Sequence, residues 1–113
     1  GYASADLVGH LLAVHPNLYV ALRVEERLQR VGGDGPMPNR LVEPNGTIRP
    51  EWLSLFKRFP DRFMIGSDEF HCVPGGKRFP QSFKLTWDML RGLPVDLTAK
   101  IGVANAVRVY RLQ

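Results

Sequence analysis

The sequence predicts an α/β fold built on parallel strands. Phe63-Met64-Ile65 is a short apolar run closed by Gly66, the pattern of a buried strand in a parallel sheet. Residues 18–22 form a second short, mostly apolar run, closed by Arg23, with the β-favouring residues Tyr19 and Val20 in it. A helical pattern precedes each run. The resulting order of helix, strand, helix, strand is the alternation that gives right-handed crossovers and a parallel sheet.

Ser4 is an N-cap candidate, and Asp6 puts a negative charge in the first turn, where the helix dipole favours one. Leu7, Val8, Leu11 and Leu12 recur at helical spacing and predict one apolar face, with His10 at its edge. Pro16 drives His15 out of the α region and stops this helix. After the first strand, residues 24–31 read as a short charged helix with Leu28 and Val31 inward, and residues 32–49 as the least regular part. The whole of 24–49 is a long strand-to-helix loop, of the kind that carries function in compact domains. Gly32-Gly33-Asp34-Gly35 has backbone N–H groups to offer a phosphate. It lacks both the dinucleotide spacing and the Lys-Ser/Thr ending of a P-loop, so it reads as a lid or turn.

Pro50 is placed to open a second helix, with Trp52, Leu53, Leu55, Phe56 and Phe59 as its apolar side. Beyond the second strand, a loop over 70–79 leads into a helix over 80–91. Phe83, Trp87 and Leu90 are its expected inner stripe and Gly92 its stop. Asp96 is expected to cap a segment over 97–101. Asn105 is expected to cap a last helical segment ending near Tyr110.

The 113 residues suit one small domain. A hydrophobic content of 44% with 23% charged residues is that of a globular protein and argues against disorder. The lone Cys72 excludes an internal disulfide. It leaves the compartment open between cytoplasm and periplasm, the cytoplasm slightly favoured. No apolar run approaches the ~18 residues of a membrane span. The net charge is +4, but the Lys and Arg residues are scattered along the chain. That suits a solvated basic surface better than a nucleic-acid footprint.

Functional groups of parallel α/β folds sit just past the carboxyl ends of the strands. Arg23 stands there after the first strand, and Ser67, Asp68 and Glu69 after the second. With His71 and Cys72, the two carboxylates form the densest run of potential ligands. Residues 68 and 69 point to opposite sides of an extended chain, however. The spacing also matches no recognised zinc pattern, so these four are not expected to hold a metal by themselves.

Pro60-Asp61-Arg62-Phe63-Met64-Ile65-Gly66-Ser67-Asp68 resembles the eighth-strand signature of the amidohydrolase-related TIM-barrel hydrolases, in which the strand ends in Gly-Ser-Asp. His15-Pro16-Asn17-Leu18-Tyr19-Val20-Ala21-Leu22 resembles the preceding strand of that family. The run from Ile101 to Tyr110 resembles its closing helix. The resemblance implies the C-terminal part of a (β/α)8 TIM barrel: the last two parallel strands with flanking and closing helices. A complete barrel needs roughly 200 to 400 residues. Residues 1–113 would then be a single C-terminal fragment, an incomplete barrel. A first residue Gly1 in place of Met suits a fragment, a processed chain or a tag remnant.

The same resemblance implies a divalent metal, zinc foremost, that activates water. Asp68 is its implied ligand and the proton shuttle, ionised at neutral pH beside a cation. The family's histidine ligands have no counterparts in His10, His15 or His71. Substrate contacts are expected from Arg23, Glu69 and His71. Arg23, and Arg40 in the loop, suit a carboxylate-bearing small molecule. Hydrolysis of a C–N or C–O bond and non-oxidative decarboxylation are both open. No nucleic-acid or membrane partner is expected. One ligand does not hold a metal, so the isolated chain is expected to be inactive. Its open strand edges predict self-association. The alternative is a small basic, non-catalytic α/β binding or interaction module, recognisable by salt-dependent binding.

Overall fold

The computed structural model describes residues 3–24, 39–66 and 83–113. Helix α1 spans Ala5–Val14, strand β1 Val20–Leu22, helix α2 Pro50–Arg58 and strand β2 Phe63–Ile65. Helix α3 follows over Lys84–Gly92 and α4 over Val95–Ala99. A π-helical turn, Lys100–Ala104, then runs directly into α5, Asn105–Tyr110.

The two strands pair in parallel, Val20 opposite Phe63 and Leu22 opposite Ile65. Both are shorter than a typical strand. The ladder extends one residue past each end: Val20 N–H donates to the Arg62 carbonyl and Gly66 N–H to that of Leu22, both at 2.8 Å. Side chains alternate across the sheet. Leu22, Val24 and Phe63 join the main core, with Val20 and Ile65 packed against it. Ala21 and Met64 fall on the opposite face; Met64 is buried outside that core and Ala21 is exposed.

Ser4 caps α1, its hydroxyl accepting from Leu7 N–H at 3.2 Å, and the helix ends before His15. The buried face is Ala5, Val8, Gly9 and Leu12, while Leu7 is 48% exposed. The expected face is thus rotated: Gly9 turns inward because a Cβ there would come within 3.0 Å of the Leu55 side chain, so α1 lies close against α2. Pro50 opens α2, which buries Trp52, Leu55 and Phe56. Phe56 and Phe63 are each fully buried, with ring centroids 4.7 Å apart.

Several sequence expectations need correction. The inner stripe of α3 is Leu85, Thr86, Met89 and Leu90, whereas Phe83 and Trp87 stand 36% and 59% exposed. Two residues per turn face the core here, and the aromatic pair lies beyond that stripe. Pro94, not Asp96, is the N-cap of α4, and Asp96 sits in its first turn. Thr98 secures this corner by donating its hydroxyl to the Leu90 carbonyl at 2.6 Å. Asn105 caps nothing: helix continues through it, and its side chain is 2% exposed.

Residues 39–49 are more regular than their composition suggests. Val42 and Ile48 form an antiparallel bridge, and Arg49 N–H returns to the Leu41 carbonyl at 2.9 Å. Gly46 turns the chain at φ 86, and a Cβ there would meet that of Asp88 on α3 at 2.5 Å, so glycine is required twice over. Val24, the expected start of a helix over 24–31, is not helical; the rest of that helix and the lid or turn at 32–35 lie outside the described residues.

Truncating Phe56 to Ala empties the junction between α2 and β2. Urea unfolding is expected to show a loss of about 3–5 kcal/mol, the cost typical of a buried Phe; a loss below ~1 kcal/mol would contradict the packing described.

Candidate active-site rim

The strands run in the same direction, so their carboxyl ends lie side by side. Leu22 is opposite Ile65 in the ladder, which puts Arg23 and Gly66 at the same level just beyond it. By alternation Arg23 shares the face of Ala21, and so does Gly66. The Gly66 contact is tight. A Cβ at Gly66 would lie 3.0 Å from that of Ala21, an atom fixed by its own backbone. The glycine thus lets β2 leave the sheet close against β1. Arg23 is exposed at this rim.

Of the residues expected to carry chemistry, Arg23 and Arg40 are among those described. Asp68, Glu69 and His71 lie outside the described residues, as does Cys72. Arg40 is engaged within its own turn. Its guanidinium donates from Nε to the Val42 carbonyl at 2.8 Å and from Nη2 to Glu43 Oε2 at 2.9 Å, which binds it into the 39–49 turn. Among the described residues no group of three or more His, Cys, Asp or Glu side chains is placed to hold a metal ion. These residues alone therefore do not fit a metal centre. An open groove of about 200 Å³ between α1 and α2 is lined in part by Asp6, His10, Glu51 and Arg58. Glu51 is paired there with Arg49 at 2.8 Å.

The amino ends of the strands are built differently, from groups that bind main chain. Arg62 donates from Nε to the Leu18 carbonyl at 2.6 Å and from Nη2 to that of His15, with its guanidinium 5.3 Å from the Tyr19 ring centre. Arg108 lies 5.8 Å from the same ring and donates to the Asp61 carbonyl. The Asp61 carboxylate accepts from Lys100 at 2.9 Å. That bond holds its carboxyl below the ordinary 3.8; the charges of Lys100 and Arg108 act the same way, and slight burial acts against them.

The described residues thus form a parallel α/β unit whose strand amino ends are tied by Arg62, Asn105 and Arg108 and whose carboxyl ends carry Gly66 and the exposed Arg23. The chain belongs to the amidohydrolase family, whose family model matches residues 2–112. The family suggests a metal-dependent hydrolase-type function and typically uses a divalent metal. Neither the comparison with curated proteins nor that with solved structures found a match. Among the described residues no helix is long and apolar enough to cross a membrane.

Two predictions follow from the two ends. Gly66→Ala should destabilise the protein by about 1–3 kcal/mol through overpacking at Ala21. Adding Ala21→Gly should recover part of that loss in a double-mutant cycle, whereas strict additivity would mean the two positions do not touch. At the other end, the folded carboxyl of Asp61 titrates below its unfolded value. Its small, solvent-screened contribution to stability is complete at neutral pH and is lost as the pH falls from 3.8 through the lower folded value. Lys100→Met should move the Asp61 titration, followed by carboxyl NMR shifts, back up toward 3.8.

Proposed function

We propose that β1 and β2 are the last two strands of a (β/α)8 barrel, and that the barrel is a metal-dependent hydrolase of the amidohydrolase type. The observation carrying this reading is the parallel register that sets Arg23 level with Gly66, two residues before Asp68, in a chain of this family. Asp68 is the carboxylate of the site, a ligand of a divalent metal, with zinc the first choice. Such an ion, when bound, acidifies water at the site toward neutrality. An Asp68 carboxylate oxygen takes the proton released as the nucleophile forms and returns it to the leaving group, so the carboxylate is regenerated each turnover.

Arg23 pairs with a carboxylate of a small-molecule substrate, for which a guanidinium offers two parallel donors. His71 touches the substrate, and Glu69 orients Asp68 or bonds to Arg23. The bond attacked is C–N or C–O; loss of a substrate carboxylate as carbon dioxide is the related reaction at such a site. The remaining ligands belong to barrel strands other than these two. The exposed stripe of Val103, Val107 and Tyr110 suits burial against further elements of such a barrel. Taken alone, the chain would hold no metal and would associate through that stripe and its open strand edges.

Asp68→Asn keeps the size of the side chain and removes the base. In the full-length protein it should lower kcat by at least about 10²–10⁴, with an unchanged circular dichroism spectrum. Turnover near the wild-type rate would rule this role out.

A further inference from the structure

We infer that Asn105, held in phase by the π-helical turn before it, is a positioning residue that locks β2 in register and thereby sets where the strand's carboxyl end, Gly66, sits. Burial of Phe63 opposes a slip of one residue, which would exchange Phe63 and Ile65 for Met64 on the core face, but three-residue strands offer few backbone bonds to back that preference. Asn105 adds a second, polar constraint to that packing. Its Nδ2 donates to the carbonyls of Pro60 and Phe63, both at 2.8 Å. An amide nitrogen carries two N–H donors, so both are used, one on the turn that leads into β2 and one on the first residue of the strand. A slipped strand would not present both.

The carbonyl of Phe63 is the informative one. The Arg62 carbonyl and the Gly66 N–H point at β1, so by alternation the Phe63 carbonyl points to the other edge of β2. The described sheet has only two strands, and no described backbone donor reaches that oxygen. Asn105 satisfies it from the helix layer. The orientation of the amide is supported from behind, where Arg108 Nη2 lies 3.4 Å from Oδ1 and itself reads the carbonyl of Asp61.

The π-helical turn explains how a helix can present this group. Leu97, Ile101 and Asn105 are all buried, at 3%, 0% and 2% exposure. In an α-helix each step of four residues overshoots a full turn by about 40°, so Asn105 would lie toward the edge of the stripe that Leu97 and Ile101 define. The wider turn Lys100–Ala104, closed by Asn105 N–H on the Lys100 carbonyl, takes up that drift. The lock bears on the proposed chemistry only because Asp68 follows Gly66. Its test reads backbone exchange and not turnover, so the two proposals fail separately.

The test is amide hydrogen exchange on the full chain with Asn105→Ala, and with Asn105→Ser, which keeps one donor should the alanine variant fail to fold. Ile101→Val is the control, an apolar change on the same buried face. Loss of the lock should accelerate exchange at Gly66 and Val20, the terminal rungs of the ladder, by about tenfold or more beyond any change at Leu12 and Phe56. The serine variant should fall between alanine and wild type. Ile101→Val should show no such selectivity. Uniform acceleration across β2, α1 and α2, or the same pattern in the control, would reduce Asn105 to an ordinary core residue and overturn the inference.

Discussion

Two phenylalanine rings, 4.7 Å apart and fully buried, join helix α2 to strand β2. Phe56 belongs to the helix and Phe63 to the strand, and Trp52 extends the stack with its ring 6.4 Å from that of Phe56. Among the described residues the sheet has two strands of three residues, and so few backbone bonds cannot hold it together in water. Burial against the helices must supply the difference, and this stack is where the strand meets it. With Phe63 fixed inward, Ile65 is inward as well, and Met64 and Gly66 are turned to the opposite face.

Bonding is divided between the ends of the strands. At the amino ends Arg62, Asn105 and Arg108 together take up main-chain carbonyls of His15, Leu18, Pro60, Asp61 and Phe63. These contacts tie α1, the strands and the closing helix together. At the carboxyl ends the tight contact is between Ala21 and a residue with no side chain, and the adjoining Arg23 is exposed.

The strand pair was legible because short apolar runs closed by Gly66 and Arg23 leave little alternative, and the helix boundaries at Ser4, His15 and Pro50 were legible because local chemistry writes them. The face of α3 was misjudged. Weighting the aromatics Phe83 and Trp87 hid the stripe of Leu85, Met89 and Leu90, since size says nothing about which side of a helix a neighbour covers. Asn105 was misread for a related reason: asparagine favours helix caps, and nothing local shows that two carbonyls more than forty residues away would claim its amide. The role of Arg40 in its own turn could have been suspected from Glu43, three residues on. Of the candidate site, the position of Arg23 just past β1 was legible, because the short apolar run before it ends there.

The contacts that define the amino ends have a kinetic side. Arg62 reaches back 44 and 47 residues, Asn105 back 42 and 45, and Arg108 back 47. Each closes a long loop, whose entropy is lost before the bond rewards it. On a ribosome, β1 would wait for some forty residues to be made before it met β2, and β2 as many again before residue 105 emerged. Until then the strand edges stand open, which makes the interval between the two syntheses the time when the chain most needs protection from aggregation.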